Sequence, residues 1–162
     1  VENYACASAD IKIETTTGHI KTENITAQNV SLTASTGKID VTGLKASGDL
    51  KLAVSTGKTI LNNITCKNIT SSGSTGDLTA TNTVAEGKFN VKRSTGDVGL
   101  EKCDAGEIEI VTDTGDVSGT LLSEKIFITK TDTGNIKVPE TLKGGKCKIT
   151  TDTGDIKIAL EK

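Results

Sequence analysis

Residues 94–117 read STGDVGLEKCDAGEIEIVTDTGDV, a stretch that holds two copies of one unit. Thr95-Gly96-Asp97-Val98 returns as Thr114-Gly115-Asp116-Val117, 19 residues later. Working outward, Thr-Gly also occurs at Thr17-Gly18, Thr36-Gly37, Thr56-Gly57, Thr75-Gly76, Thr133-Gly134 and Thr153-Gly154, so successive glycines lie 19 or 20 residues apart throughout. Self-similarity at a fixed period of this length is the mark of a stacked repeat architecture. Turns therefore begin near 17, 36, 56, 75, 95, 114, 133 and 153.

Aligned on that Thr, apolar side chains fall in columns. Ile20, Ile39, Leu78, Val98, Val117, Ile136 and Ile156 follow three positions later, with Thr59 the exception, and Val41, Leu61, Leu100, Val138 and Ile158 follow after five. A third column holds Ile25, Leu44, Ile64, Val84, Cys103, Leu122 and Leu142, and a fourth Val30, Leu50, Ile69, Phe89, Ile108, Phe127 and Cys147. Spacings of two within each run are the strand period, not the helical one. Between the runs stand Gly and Asn, residues that turn a chain sharply. One corner is Thr-Gly itself. A second reads Asn29, Gly48, Asn68, Gly87, Gly106 and Gly145 and is expected to be left-handed, and a third carries Gly43, Asn63, Asn82 and Pro139.

The expected fold is all-β: a single right-handed parallel β-solenoid over residues 1–162, with about 8–9 turns of 19–20 residues. The hand follows the crossover rule for parallel strands. No turn buries enough apolar surface to offset its own ordering entropy, so only stacking at about 4.8 Å makes it stable. Cys6, Ile11 and Ile13 extend the columns backwards, while Ile156 and Ile158 begin a last, incomplete turn that ends at Glu161-Lys162. Open solenoid ends expose unpaired edges, which makes end-to-end self-association an expected behaviour.

Composition narrows the function classes. A formal charge of −2 spread over interspersed Lys, Asp and Glu gives no basic footprint for nucleic acid. No apolar run approaches the roughly 20 residues of a membrane span, and the chain opens at Val1 with neither Met nor a signal-peptide pattern, as a trimmed or mature fragment does. Cys6, Cys66, Cys103 and Cys147 are turns apart, beyond the roughly 7 Å of a disulfide, so four free thiols are expected.

Candidate chemistry is sparse, and no catalytic or cofactor-binding residue is assigned. His19, the only histidine, follows a corner glycine with no nucleophile expected beside it. Arg93 is the only arginine, which argues against the basic and acidic clusters of carbohydrate-active enzymes on this scaffold, the alternative reading. Carboxylates gather at the later Thr-Gly corners: Asp113, Asp116, Asp132, Asp152 and Asp155 could present oxygen ligands to a hard cation such as Ca2+. Without the glycine-aspartate nonapeptides of calcium-loaded β-rolls, a solvated ridge and no metal are expected. Thr112/Thr114, Thr131/Thr133 and Thr151/Thr153 suggest the threonine ladders of ice-binding solenoids, though the second Thr of each pair abuts a corner Gly.

Ser94 to Val98 and Thr112 to Val117 resemble the tandem units of a bacterial adhesin family of β-solenoid domains, and the similarity covers essentially the whole chain. The resemblance implies a non-enzymatic extracellular module of the cell envelope, anchored outside this fragment. Its implied partners are a surface protein or glycan.

Overall fold

A computed structural model describes residues 1–6 and 8–161. Among them are fourteen strands in one wound parallel sheet, and no helix. In chain order these are β1 (Ile11–Thr17), β2 (Ile20–Ala27), β3 (Val30–Thr36), β4 (Ile39–Ala46), β5 (Asp49–Thr56), β6 (Thr59–Cys66), β7 (Asn68–Thr75), β8 (Leu78–Thr95), β9 (Val98–Thr114), β10 (Val117–Leu121), β11 (Lys125–Thr133), β12 (Ile136–Lys137), β13 (Gly145–Thr153) and β14 (Ile156–Leu160). The chain is a β-solenoid of about seven turns, slightly fewer than the repeat count suggests.

Two faces alternate along the chain. On the first, β1, β3, β5, β7 and the second halves of β8 and β9 stack in register, with Ile13 beside Leu32, Leu32 beside Leu52 and Val91 beside Ile110. On the second, β2, β4, β6 and the first halves of β8 and β9 do the same, with Ile20 beside Ile39 and Leu78 beside Val98. Their inward side chains meet in a continuous core that runs from Ile20 to Ile158.

The last two turns stack in inverted order. β13, not β11, lies on β9, with Thr153 beside Thr114, while β11 lies outside β13 with Thr133 beside Thr153. On the other face β14 separates β10 from β12. The final turn is therefore an interior rung, and the penultimate one closes the stack. Pro139 supplies a reason. Proline has no N–H to donate to a further rung and cannot take the positive φ that this corner needs elsewhere, so its turn suits the outermost place. Residues 138–144 there form no strand, and Leu142, assigned inward from the sequence, is 95% exposed.

The corners differ in their physics. At Thr-Gly the glycines have φ between +127 and +152°, and from Gly37 onward an added Cβ would strike the carbonyl of the glycine on the adjacent rung. Conformation and close approach both demand glycine there. The third corner is the left-handed one, at Gly43, Asn63 and Asn82 and also at Asn24 and Lys102. The second is not left-handed. Its glycines are needed for space: an added Cβ at Gly48 would lie 2.2 Å from Asn29 Oδ1, and at Gly87 2.4 Å from Asn68 Oδ1.

The residue after each left-handed corner points inward, which corrects one core assignment, and a register shift between Gly119 and Leu121 corrects another. Thr83, not Val84, pairs with Ile64, and Leu121, not Leu122, pairs with Cys103. A further inward column of Ala27, Ala46, Cys66, Ala85 and Ala105 lines the narrow second corner. A bulge interrupts the register between Ala85 and Lys88, within one of the 20-residue turns.

Lys102 holds φ +52°, which costs a non-glycine residue about 1–2 kcal/mol and asparagine less. Its exposed ion pair with Glu161, at 3.5 Å, offsets little of this. Lys102→Asn is expected to stabilise the fold by about 0.5–1 kcal/mol in urea unfolding.

Candidate functional site

The residue that follows each corner glycine feeds a ladder. His19 Nδ1 accepts the Lys38 backbone N–H at 3.1 Å. Asp77 Oδ1 accepts that of Asp97 at 3.2 Å, Asp97 that of Asp116 at 2.8 Å, Asp116 that of Asp155 at 2.7 Å and Asp155 that of Asn135 at 2.8 Å. The hydrogen bond from Lys58, then the Asp97 N–H, holds the Asp77 carboxyl below its ordinary range, and Lys157 and the Asn135 N–H do the same for Asp155. Hydrogen bonds to the charged form favour it. These side chains satisfy backbone donors at the corner, a structural use for His19, Asp116 and Asp155.

Asp113, Asp152 and Asp132 stand in a neighbouring outward column, which continues that of Ser35, Ser55, Ser74 and Ser94 and follows the inverted rung order. Asp132 pairs with Lys130 at 2.9 Å. Among the described residues no three His, Cys, Asp or Glu side chains converge on a point where a metal ion could sit. The five acidic candidates are thus split between two columns.

The first threonine of each ladder pair is turned away from any ice-binding surface, and Thr114, Thr133 and Thr153 alone stand exposed. Thr112 and Thr151 are buried, and the hydroxyls of Thr112, Thr131 and Thr151 donate to the carbonyls of Gly96, Gly154 and Gly115. At the second corner, amides and carboxylates alternate: Asn29 Nδ2 donates to Asp10 Oδ1 at 2.9 Å and Asn68 Nδ2 to Asp49 Oδ1 at 2.8 Å.

All four cysteines are free. Cys66, Cys103 and Cys147 are buried, and Cys6 lines up with Ala27 because Ala5 pairs with Thr26. Desolvation pushes the thiols of Cys66, Cys103 and Cys147 up to about 12, 11 and 12. Since the thiolate is the nucleophile, these three are expected to resist a thiol reagent at pH 8 in the folded protein and to react on unfolding. Mass spectrometry before and after denaturation reads this directly.

Two charged groups inside the solenoid escaped the column analysis. Lys125, on the outermost first-face rung, is buried and reaches back past the β13 rung to Asp104 at 2.6 Å, while donating to Ser123 Oγ at 2.7 Å. Ser123 Oγ in turn donates to Asp104 Oδ1 at 2.9 Å. Burial works against the Asp104 carboxylate, yet its bonds to Lys125 and Ser123 prevail and hold its pKa below the ordinary value. Together these three residues staple the connection that skips a rung. The second group is Arg93. Its guanidinium fills the space left by Gly73 on the rung below, and Nη2 donates to Thr59 Oγ1 and Ser71 Oγ, each at 3.0 Å. Its signal in the sequence was an arginine at an inward position of the strand period.

Fold and rungs together define a repeat solenoid whose polar side chains serve as lateral ties between turns. The chain belongs to the Toastrack DUF4097 family, whose model matches residues 4–101 and again 45–162. The two overlapping matches start about two turns apart, as a periodic chain allows. No curated protein and no solved structure matches it.

Proposed function

We propose that this chain is a non-enzymatic extracellular module of a bacterial cell envelope, an adhesin-like domain that presents its strand faces to a surface protein or glycan, or spaces other domains from the membrane. The observation that carries the reading is the lateral disposition of its polar groups. Lys88–Glu107 and Lys148–Glu109 pair between neighbouring rungs, Lys12–Glu14 and Lys38–Asp40 pair along a rung, all at 2.8–3.6 Å, and the corner carboxylates bind backbone N–H groups of the next rung. Chemistry is thereby distributed along the rod, as suits recognition by an extended surface. Catalysis asks instead for titratable groups converging in a concave site.

Display is tested with Lys51→Cys, an exposed outward position, in the full-length protein of intact cells. A membrane-impermeant thiol reagent labels it without permeabilisation if the module is outside; labelling only after lysis contradicts the reading. Retention of the purified domain on cell-wall material, with no new reducing ends released from polysaccharides, separates binding from hydrolysis.

A further inference from the structure

Arg93 is 2% exposed, the least accessible charge in the chain's interior. Besides those to Thr59 and Ser71, its only hydrogen bond among the described residues is from Nη1 to the Lys92 carbonyl at 3.5 Å, and Nε has no partner. None of the ion pairs among the described residues includes it. A buried cation without a carboxylate is expensive and projects an uncancelled field through a low-dielectric wall.

At Gly73 that wall carries no side chain. An added Cβ there would lie 2.4 Å from Arg93 Nη1, so bare glycine backbone separates the guanidinium from the outer face. On the outer side is a shallow dent of about 250 Å³, floored by Gly73 and rimmed by Ser55, Ser72, Ser74, Ser94 and Lys92. This volume holds about eight waters. No carboxylate lines it, and the nearest acid in the serine column is Asp113, one rung beyond Ser94. Serine hydroxyls rotate to donate, an ammonium serves as a mobile point charge for phosphate, and the guanidinium beneath is a fixed one.

We propose that this dent binds a tetrahedral oxyanion, a phosphate or sulfate ester group, held by Lys92 and the serine hydroxyls over the buried charge of Arg93. The site stands independently of where the module is displayed, since it needs nothing beyond this chain.

Amide NMR titration of the whole chain with inorganic phosphate and with inorganic sulfate, at constant ionic strength, tests it. Saturable shifts are expected at Ser72, Gly73, Ser74 and Lys92. Lys92→Ala weakens binding about tenfold, the size of one charge-assisted hydrogen bond. Arg93→Met, similar in length and uncharged, weakens it too while leaving the distant amides of β2–β4 in place; a purely structural arginine leaves affinity unchanged. Should Arg93→Met fail to fold, the surface double substitution Ser72→Ala/Ser74→Ala carries the test, with the same expected weakening. A phosphodiester polymer and a sulfated polysaccharide of matched charge then identify the source by which displaces the ion more strongly. Absence of saturable shifts, or shifts spread equally to Lys51 and Lys148, overturns the proposal. The display reading is left untouched by that failure, because surface labelling decides it separately.

Discussion

Gly57→Ala is expected to cost about 4 kcal/mol or more, lowering the unfolding midpoint by roughly 10 °C in a chain of this size. Gly57 has φ +140°, and an added Cβ would lie 1.7 Å from the Gly37 carbonyl oxygen, with Gly76 packed on the opposite side. No side-chain motion relieves a clash with backbone on an interior rung. Gly18→Ala separates the two costs. Gly18 has a similar φ of +132°, but its Cβ would meet only Thr15 Oγ1 at 3.8 Å, so strain alone applies, about 1–2 kcal/mol. Urea unfolding of both variants beside the parent reads the difference. Equal losses would mean that the corners do not approach as closely as described.

The staple at the end of the stack carries the second large effect. Asp104→Ala leaves the buried Lys125 ammonium without its carboxylate, at an expected loss of about 3 kcal/mol. Lys125→Met spares the buried charge and is expected to lose less. In both, hydrogen exchange should quicken in β11 and β12 while β3, β5 and β7 keep their protection, because the unit that opens is local. The pH dependence has a definite sign. A carboxyl whose folded pKa lies below its unfolded value of about 3.9 stabilises above that pH and ceases to do so as pH falls through the folded value. The end rung of the parent should therefore loosen only in strong acid, and Asp104→Asn should abolish that part of the acid transition. Uniform acceleration across all strands would assign the pair to global stability instead.

Much of this fold is legible in residue order because one period governs it. Thr-Gly at 19 or 20 residues fixes the rung length, and alternation at Val30/Leu32 or Ile108/Ile110 fixes which face is inward. The third column slipped at Val84 because the inward place, eight residues after each Thr, is held there by the polar Thr83, and at Leu122 because the register shifts between Gly119 and Leu121 and brings Leu121 inward. The inverted order of the last turns leaves no mark on the period, since both turns carry the same Thr-Gly spacing. Pro139 at the third corner and Lys125 at a glycine column are its local traces. Of the polar residues, the acidic corner was visible but its use was not, because a carboxylate that binds the backbone of the next rung and one awaiting a cation are written alike. In the sequence Arg93 speaks only against an enzyme, and its complement Gly73 emerges once the rungs are stacked.

Cysteine cross-linking reads whether the final turn is locked inside the stack by the one before it. Ser118, Lys157 and Lys137 are exposed on the second face, with Ser118 beside Lys157 and Lys157 beside Lys137. Neighbouring rungs are within disulfide reach and next-but-one rungs, about 10 Å apart, are not. Ser118→Cys/Lys157→Cys is expected to oxidise readily in the folded protein while Ser118→Cys/Lys137→Cys does not. Efficient cross-linking of 118 to 137, with none of 118 to 157, would contradict it and restore sequential stacking.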